Sequence, residues 1–262
     1  MDIRTVTIRV ALGLASLGML AAQPPAAPAG PPPTPKAQAP WDMTGYWVSI
    51  VTEDWRFRMI PLMKGDYPGV PLNAEGKKIA DAWDLAKDEA AGVDQCKAYG
   101  AAAIMRVPGR LHITWDNDNT LKIETDSGTQ TRVLHFGGTP AGKPSSQGYS
   151  VASWEPLQSG AGFGPHKAGS LKVVTTRLRA GYLRKNGVPV SANATVTEYI
   201  DLLNDPNVRE QWLMVKTIVD DPTYLMQPFI TSTHFKKEPD GAKFTPMPCH
   251  TDPPRTDKPL VN

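Results

Sequence analysis

The feature that most constrains this chain is an alternation of apolar and polar residues at a period of two, which recurs between residues 111 and 236. Leu111, Ile113 and Trp115 share one side of a segment whose other side carries His112 and Thr114. Asp116 to Asn119 makes a turn, Leu121 and Ile123 resume the apolar side, and Asp126-Ser127-Gly128 turns again into residues 129–136. Such alternation places one face of each strand in a core and the other in water, so these residues read as a three-strand meander.

A second set follows a glycine-rich stretch from Gly160 to Gly169: residues 170–179, 194–203, 211–219 and 228–236. The turns between them contain Asn186-Gly187, residues 204–207 and Asp220-Asp221-Pro222. Two earlier segments, 46–51 and 53–60, bring the expectation to about eight or nine antiparallel strands in a mainly β domain. Closing them into a barrel removes exposed edges and leaves an interior able to hold one ligand. A two-sheet sandwich satisfies the same alternation.

One helix interrupts this pattern. Asn73 can cap it, Glu75 favours its positive end, Ile79, Trp83, Ala86 and Ala90 fall on one stripe, and Gly92 is a natural stop. Residues 67–104 therefore read as a helical insertion in the barrel, able to serve as a lid.

The amino terminus carries Arg4 and Arg9 and then an apolar or small-residue run from Val10 to Ala22. That is the plan of a secretory signal, ending after Ala22 or Ala29, and the run is too short to span a bilayer. Residues 23–40, rich in proline and alanine, lack the apolar surface to fold and read as a disordered tether. The barrel domain is expected over 41–238 and an extended tail over 239–262. A periplasmic or secreted location follows from the signal. No later stretch is apolar enough for a transmembrane helix.

Charge and motifs exclude several classes. A formal net charge of +2 without any basic block excludes electrostatic attraction to nucleic acid. There is no Rossmann glycine pattern, P-loop or nucleophile elbow, so no cofactor is expected. The two cysteines, Cys96 and Cys249, lie far apart in sequence, and in an oxidising compartment they are expected to form a disulfide. Cys249-His250 could contribute to a metal site only if adjacent residues reached one ion, so no metal is expected.

Several residues could carry chemistry. Glu198 shares a strand face with Ala194, Val196, Ile200 and Leu202, and a carboxylate there must be paired, protonated or aimed into a polar cavity. His234 and His112 lie on strands, and either would form an acid–base pair with Glu198 if it shared the lumen. His234 and Arg58 are the expected neighbours of Glu198. Tyr182 stands at a strand end, where its hydroxyl could reach a ligand. Asp54, Arg56 and Arg58 share one face of the 53–60 segment, where two arginines and an acid could clamp a carboxylate or enolate. The same residues could equally be a solvated outer face. Trp115 is a further candidate ligand contact.

The stretches WDMTGYWVSIVTEDWRFRM and DPTYLMQPFITSTHFKKE resemble exported bacterial proteins of unknown function with a predicted lipocalin-like barrel. The resemblance touches most of 41–238 and implies the lipocalin-like fold, with no assigned catalytic residues. Binding of a small hydrophobic or aromatic molecule in the barrel is the leading expectation. A cofactor-free lyase, isomerase or hydratase using the same cavity is the alternative. A further alternative is an envelope interaction protein without a ligand site.

Overall fold

A computed structural model describes residues 31–156, 169–205 and 210–256. The signal segment, most of the glycine-rich stretch and the final residues of the tail lie outside the described residues. The described strands form a closed barrel in the order β1-β11-β10-β9-β6-β5-β4-β3-β2. Its strands are β1 (Gly45–Ser49), β2 (Arg110–Asn117), β3 (Thr120–Thr125), β4 (Gln130–Phe136), β5 (Tyr149–Pro156), β6 (Gly169–Thr176), β9 (Thr195–Asp205), β10 (Glu210–Asp220) and β11 (Phe229–Glu238). β7 (Gly181–Arg184) and β8 (Val188–Val190) form a separate two-stranded sheet around the Asn186-Gly187 turn.

Closure comes from β1, which pairs with β11 through Trp47↔Lys237 and with β2 through Trp47↔Leu111. Every barrel strand thus has two neighbours, and the barrel itself presents no open edge to another chain. The alternation holds as predicted on the meander and on β6, β9, β10 and β11. The barrel is mixed rather than wholly antiparallel: β4 and β5 pair in parallel, Leu134↔Ser150 and His135↔Val151. The chain runs back through residues 137–148 before β5 begins, so a hairpin reading could not anticipate it.

Inward side chains fill the barrel. Trp47, Leu121, Ile123, Leu134, Leu171, Val173, Leu213 and Val215 are wholly shielded from solvent. At one end the rings of Trp41, Trp154, Phe136 and Trp115 form a chain with centroid separations of 5.8, 5.4 and 5.4 Å. The last residues of the proline-rich stretch sit against this end as α1 (Pro35–Gln38), where the Pro35 carbonyl accepts from Trp154 Nε1 at 2.8 Å.

The opposite end is covered by residues 50–109 together with β7 and β8. Here the 53–60 segment departs from expectation. It is a single helical turn, α2 (Trp55–Arg58), entered through Asp54 in the left-handed region at φ 58°. Its short alternation fits a helical turn as well as a strand, and the helical turn buries Arg58 while exposing Trp55 and Met59. The single predicted helix is two, α3 (Ala74–Ala82) and α4 (Leu85–Ala90). Asn73 caps the first, through Gly76 N at 2.9 Å; Asp84 caps the second, through Lys87 N, and so ends the continuity at Trp83. Val70, Leu72, Ala80, Leu183, Val188 and Val190 of this cap pack with Val196, Val219 and Phe229 of the barrel as a second core.

Cys96 and Cys249 are joined, with Cα atoms 5.1 Å apart. The bond pins the cap to the tail beyond β11. The tail is further held by Tyr99, whose hydroxyl donates to the His250 carbonyl at 2.9 Å. No helix among the described residues is long and apolar enough to cross a membrane.

Candidate functional site

At the capped end, three arginines from three separate segments are each more than nine-tenths buried: Arg58 on α2, Arg106 just before β2, and Arg184 at the end of β7. A guanidinium keeps its charge in almost any setting, so each of these needs either carboxylates or carbonyl oxygens around it. Arg106 has the first: its Nη2 pairs with Asp54. The left-handed backbone at Asp54, tolerated by aspartate better than by most residues, sets this carboxylate at the start of α2. Arg56, less buried, pairs with Asp66 at 3.3 Å.

Arg58 and Arg184 are different. Arg58 Nε donates to the Arg106 carbonyl at 3.0 Å and Nη1 to the Ile50 carbonyl at 2.5 Å, while its Nη2 finds no partner among the described residues. Arg184 Nη2 donates to the Pro68 carbonyl at 3.1 Å, while Nε and Nη1 find none. Among the described residues neither forms an ion pair. The Phe57 ring steadies the group, with the guanidinium carbons of Arg184 and Arg56 at 4.3 and 4.8 Å from its centroid. Burial, and next the like charge of Arg106, hold both Arg58 and Arg184 below the ordinary arginine pKa, Arg184 down to about 10.

These arginines border a recess of about 70 Å³. Phe57, Met59, Ile60, Leu62, Val107 and Leu183 supply apolar wall, and the charged side chains of Lys185 and Asp252 also line it. Apolar walls with a few convergent polar groups are the composition of small-molecule sites. Asp54, Arg56 and Arg58, grouped in sequence as a possible clamp, thus do lie at one place, but as two ion-paired residues and one buried cation with a free N–H.

Glu198 faces the interior, fully buried, yet its partner is neither His234 nor Arg58. Arg132 of β4 reaches it across the lumen: Nη1 donates to Oε1 at 3.0 Å and Nη2 to Oε2 at 2.5 Å. Thr175 and Ser150 extend this polar layer, with the Arg132 Nη2–Thr175 Oγ1 contact at 3.4 Å and the two hydroxyls 2.8 Å apart. Both carboxylate oxygens are therefore engaged, inside a packed interior.

The strand histidines are on the other side of the wall. On β11 Thr233 and Phe235 point inward, so His234 points outward and meets Glu53 at 2.6 Å. His112 alternates with buried Leu111 and Ile113, stacks on Tyr46 with centroids 4.2 Å apart, and meets Glu124 at 3.2 Å. Neither shares a void with Glu198. Period-two geometry forces this, since a one-residue difference in position selects the opposite face.

Tyr182 lies in the cap. Its hydroxyl donates to Asp88 Oδ2 at 2.8 Å, and burial, reinforced by this bond, raises the phenol's pKa. It borders a separate recess of about 220 Å³ with Lys97, Ala101, Leu178 and Val190, which contains no unpaired buried polar atom. Trp115 is at the aromatic end of the barrel, remote in the fold from the arginines. Among the described residues no group of His, Cys, Asp and Glu is arranged to hold a metal ion.

Comparison with known proteins adds no assignment: no family model matches the chain, and neither a curated protein nor a solved structure matches it. The closed barrel is lipocalin-like in its general form, and that form is compatible with holding a ligand.

Proposed function

We propose that this chain is an exported protein that binds a small hydrophobic or aromatic molecule at the capped end of its barrel. The observation that supports this reading is the recess within the cap, walled by Phe57, Ile60, Leu62, Val107 and Leu183. Its volume of about 70 Å³ is well below the roughly 300–1,000 Å³ of drug-sized pockets. The ligand is therefore small, or enters only in part and rests its remaining apolar surface on the exposed side chain of Met59. An acid–base enzyme would need two free titratable groups at one void. The engagement of Glu198 by Arg132 and the outward histidines argue against that reading.

The test is direct. Protein recovered from an exported fraction of its host, beginning after Ala22 or Ala29, is sprayed under native conditions and any bound molecule identified by mass. A panel of single-ring aromatic molecules is then titrated by calorimetry, against the protein and against Leu183→Trp, which fills the recess. Binding to the first and not the second is expected. Equal binding to both moves the site elsewhere.

A further inference from the structure

From the guanidinium groups at this recess we infer that its ligand is an organic anion, a hydrophobic body carrying a carboxylate that docks on Arg58 and Arg184. The inference rests on the binding reading above and names the chemical class that reading leaves open.

Four observations carry it. Arg58 and Arg184 are each more than nine-tenths buried and border one recess. Three of their nitrogen atoms, Arg58 Nη2 and Arg184 Nε and Nη1, are sealed from solvent and have no hydrogen-bond partner among the described residues. The nearby carboxylates are already engaged: Asp54 on Arg106, Asp66 on Arg56, and Asp252, which lines the recess, on His250. Finally, Arg58 and Arg184 come from two distant stretches of chain, so their convergence is a property of the fold and not of one basic segment.

Buried donors without acceptors are costly, and charged ones more so. Packing alone would be served better by apolar side chains of similar size. An incoming carboxylate changes the balance: it offers acceptor oxygens to guanidinium N–H groups and neutralises mutually repelling cations. Charge-assisted bonds of this kind are about twice as strong as neutral ones, and the low polarity of the walls strengthens them further. The apolar lining excludes water and selects for a hydrophobic body behind the anionic head. A bare inorganic anion would satisfy the arginines and leave those walls unused.

The experiment compares 3-phenylpropionate with its amide, 3-phenylpropionamide, on the oxidised full-length mature protein at neutral pH. The pair differs in charge and hardly in shape. The acid is expected to bind at least about 10-fold more tightly, the scale of a lost hydrogen bond to a charged group. Arg184→Met should abolish the preference while Arg184→Lys retains part of it. If Arg184→Met does not fold, the comparison of acid with amide on the unaltered protein still decides. Equal affinity for acid and amide overturns the anion inference and leaves the binding proposal standing. If neither probe binds, the binding proposal falls for ligands of this size, and a titration with inorganic phosphate decides the rest. Phosphate binding that Arg184→Met removes retains anion recognition, and its absence overturns that too.

Discussion

Arg132 grips both carboxylate oxygens of Glu198 across the middle of the barrel, with both side chains essentially sealed from solvent. Two charges removed from water have given up several kcal/mol of hydration each, which only mutual attraction and further hydrogen bonds offset. A pair in this position stabilises poorly compared with leucines, but breaking it is expensive. It also ties β4 to β9, strands that are not neighbours in the barrel order.

Glu198→Gln should therefore destabilise the protein by about 3 kcal/mol, because Arg132 is left charged and buried with one neutral acceptor. Arg132→Met combined with Glu198→Leu should recover most of that loss. Urea unfolding reads both, as a shift in midpoint at constant slope. A Glu198→Gln midpoint equal to that of the unaltered protein would show that the pair is not structural.

The inward face of Glu198 was legible because Val196 and Ile200 flank it at period two. Its partner was equally marked, since Arg132 alternates with Leu134 and Phe136, but alternation reports a face and not a distance across a lumen. Knowing that β4 and β9 are joined through β5 and β6 is needed to bring the two together. The sequence of β5 hides the strand: its inward residues Ser150, Ala152 and Trp154 contrast weakly with the outward Val151 and Ser153. The cap was harder still. Arg106 and Arg184 sit in a helical turn and in a short hairpin, where a basic residue ordinarily meets solvent, and nothing local distinguishes a buried arginine from an exposed one. Asp54 to Arg58 was found as a cluster but given the wrong local structure, because a stretch so short fits strand and helical turn alike.

The Cys96–Cys249 bond encloses most of the folded chain, yet neither cysteine lies in a barrel strand. Replacing both with serine should lower the melting temperature while preserving the β signature in circular dichroism. The chain-entropy limit for so long a loop is about 5 kcal/mol, and the measured loss should fall below it. Hydrogen exchange should rise first where the tail meets the barrel, at the Met247 amide that donates to the Asp126 carbonyl at 2.8 Å. Unchanged exchange there would mean that the tail is held without the disulfide.

Asp88 receives hydrogen bonds from both Tyr182 and Trp83, at 2.8 and 3.1 Å, and so fastens α4 to β7 and to the end of α3. Tyr182→Phe removes one of the two without changing the ring. The expected cost is about 1 kcal/mol. Faster exchange should be confined to residues 84–90, because among the described residues no barrel strand shares a hydrogen bond with this junction. A uniform rise across the barrel strands would contradict the separation of cap from barrel.

Arg184 should cost stability, and its removal should show it. Burial, and next the like charge of Arg106, push its pKa down to about 10. The folded state thus binds its proton less tightly than the unfolded chain. The sign follows from linkage: the penalty is fully present below about pH 10 and shrinks as pH rises from there toward the ordinary arginine value. At neutral pH it amounts to about 3 kcal/mol, at 1.36 kcal/mol per pKa unit. Against this stand the Pro68 hydrogen bond and the stacking on Phe57, together about 1–2 kcal/mol. Arg184→Met should accordingly raise stability at pH 7 by about 1–2 kcal/mol, and the advantage over the unaltered protein should narrow above pH 10. Denaturant unfolding of the two proteins at pH 7 and pH 10.5 measures it. A variant less stable at pH 7 would mean that Arg184 is held for packing, and that the cost assigned to its unpaired nitrogens is not there.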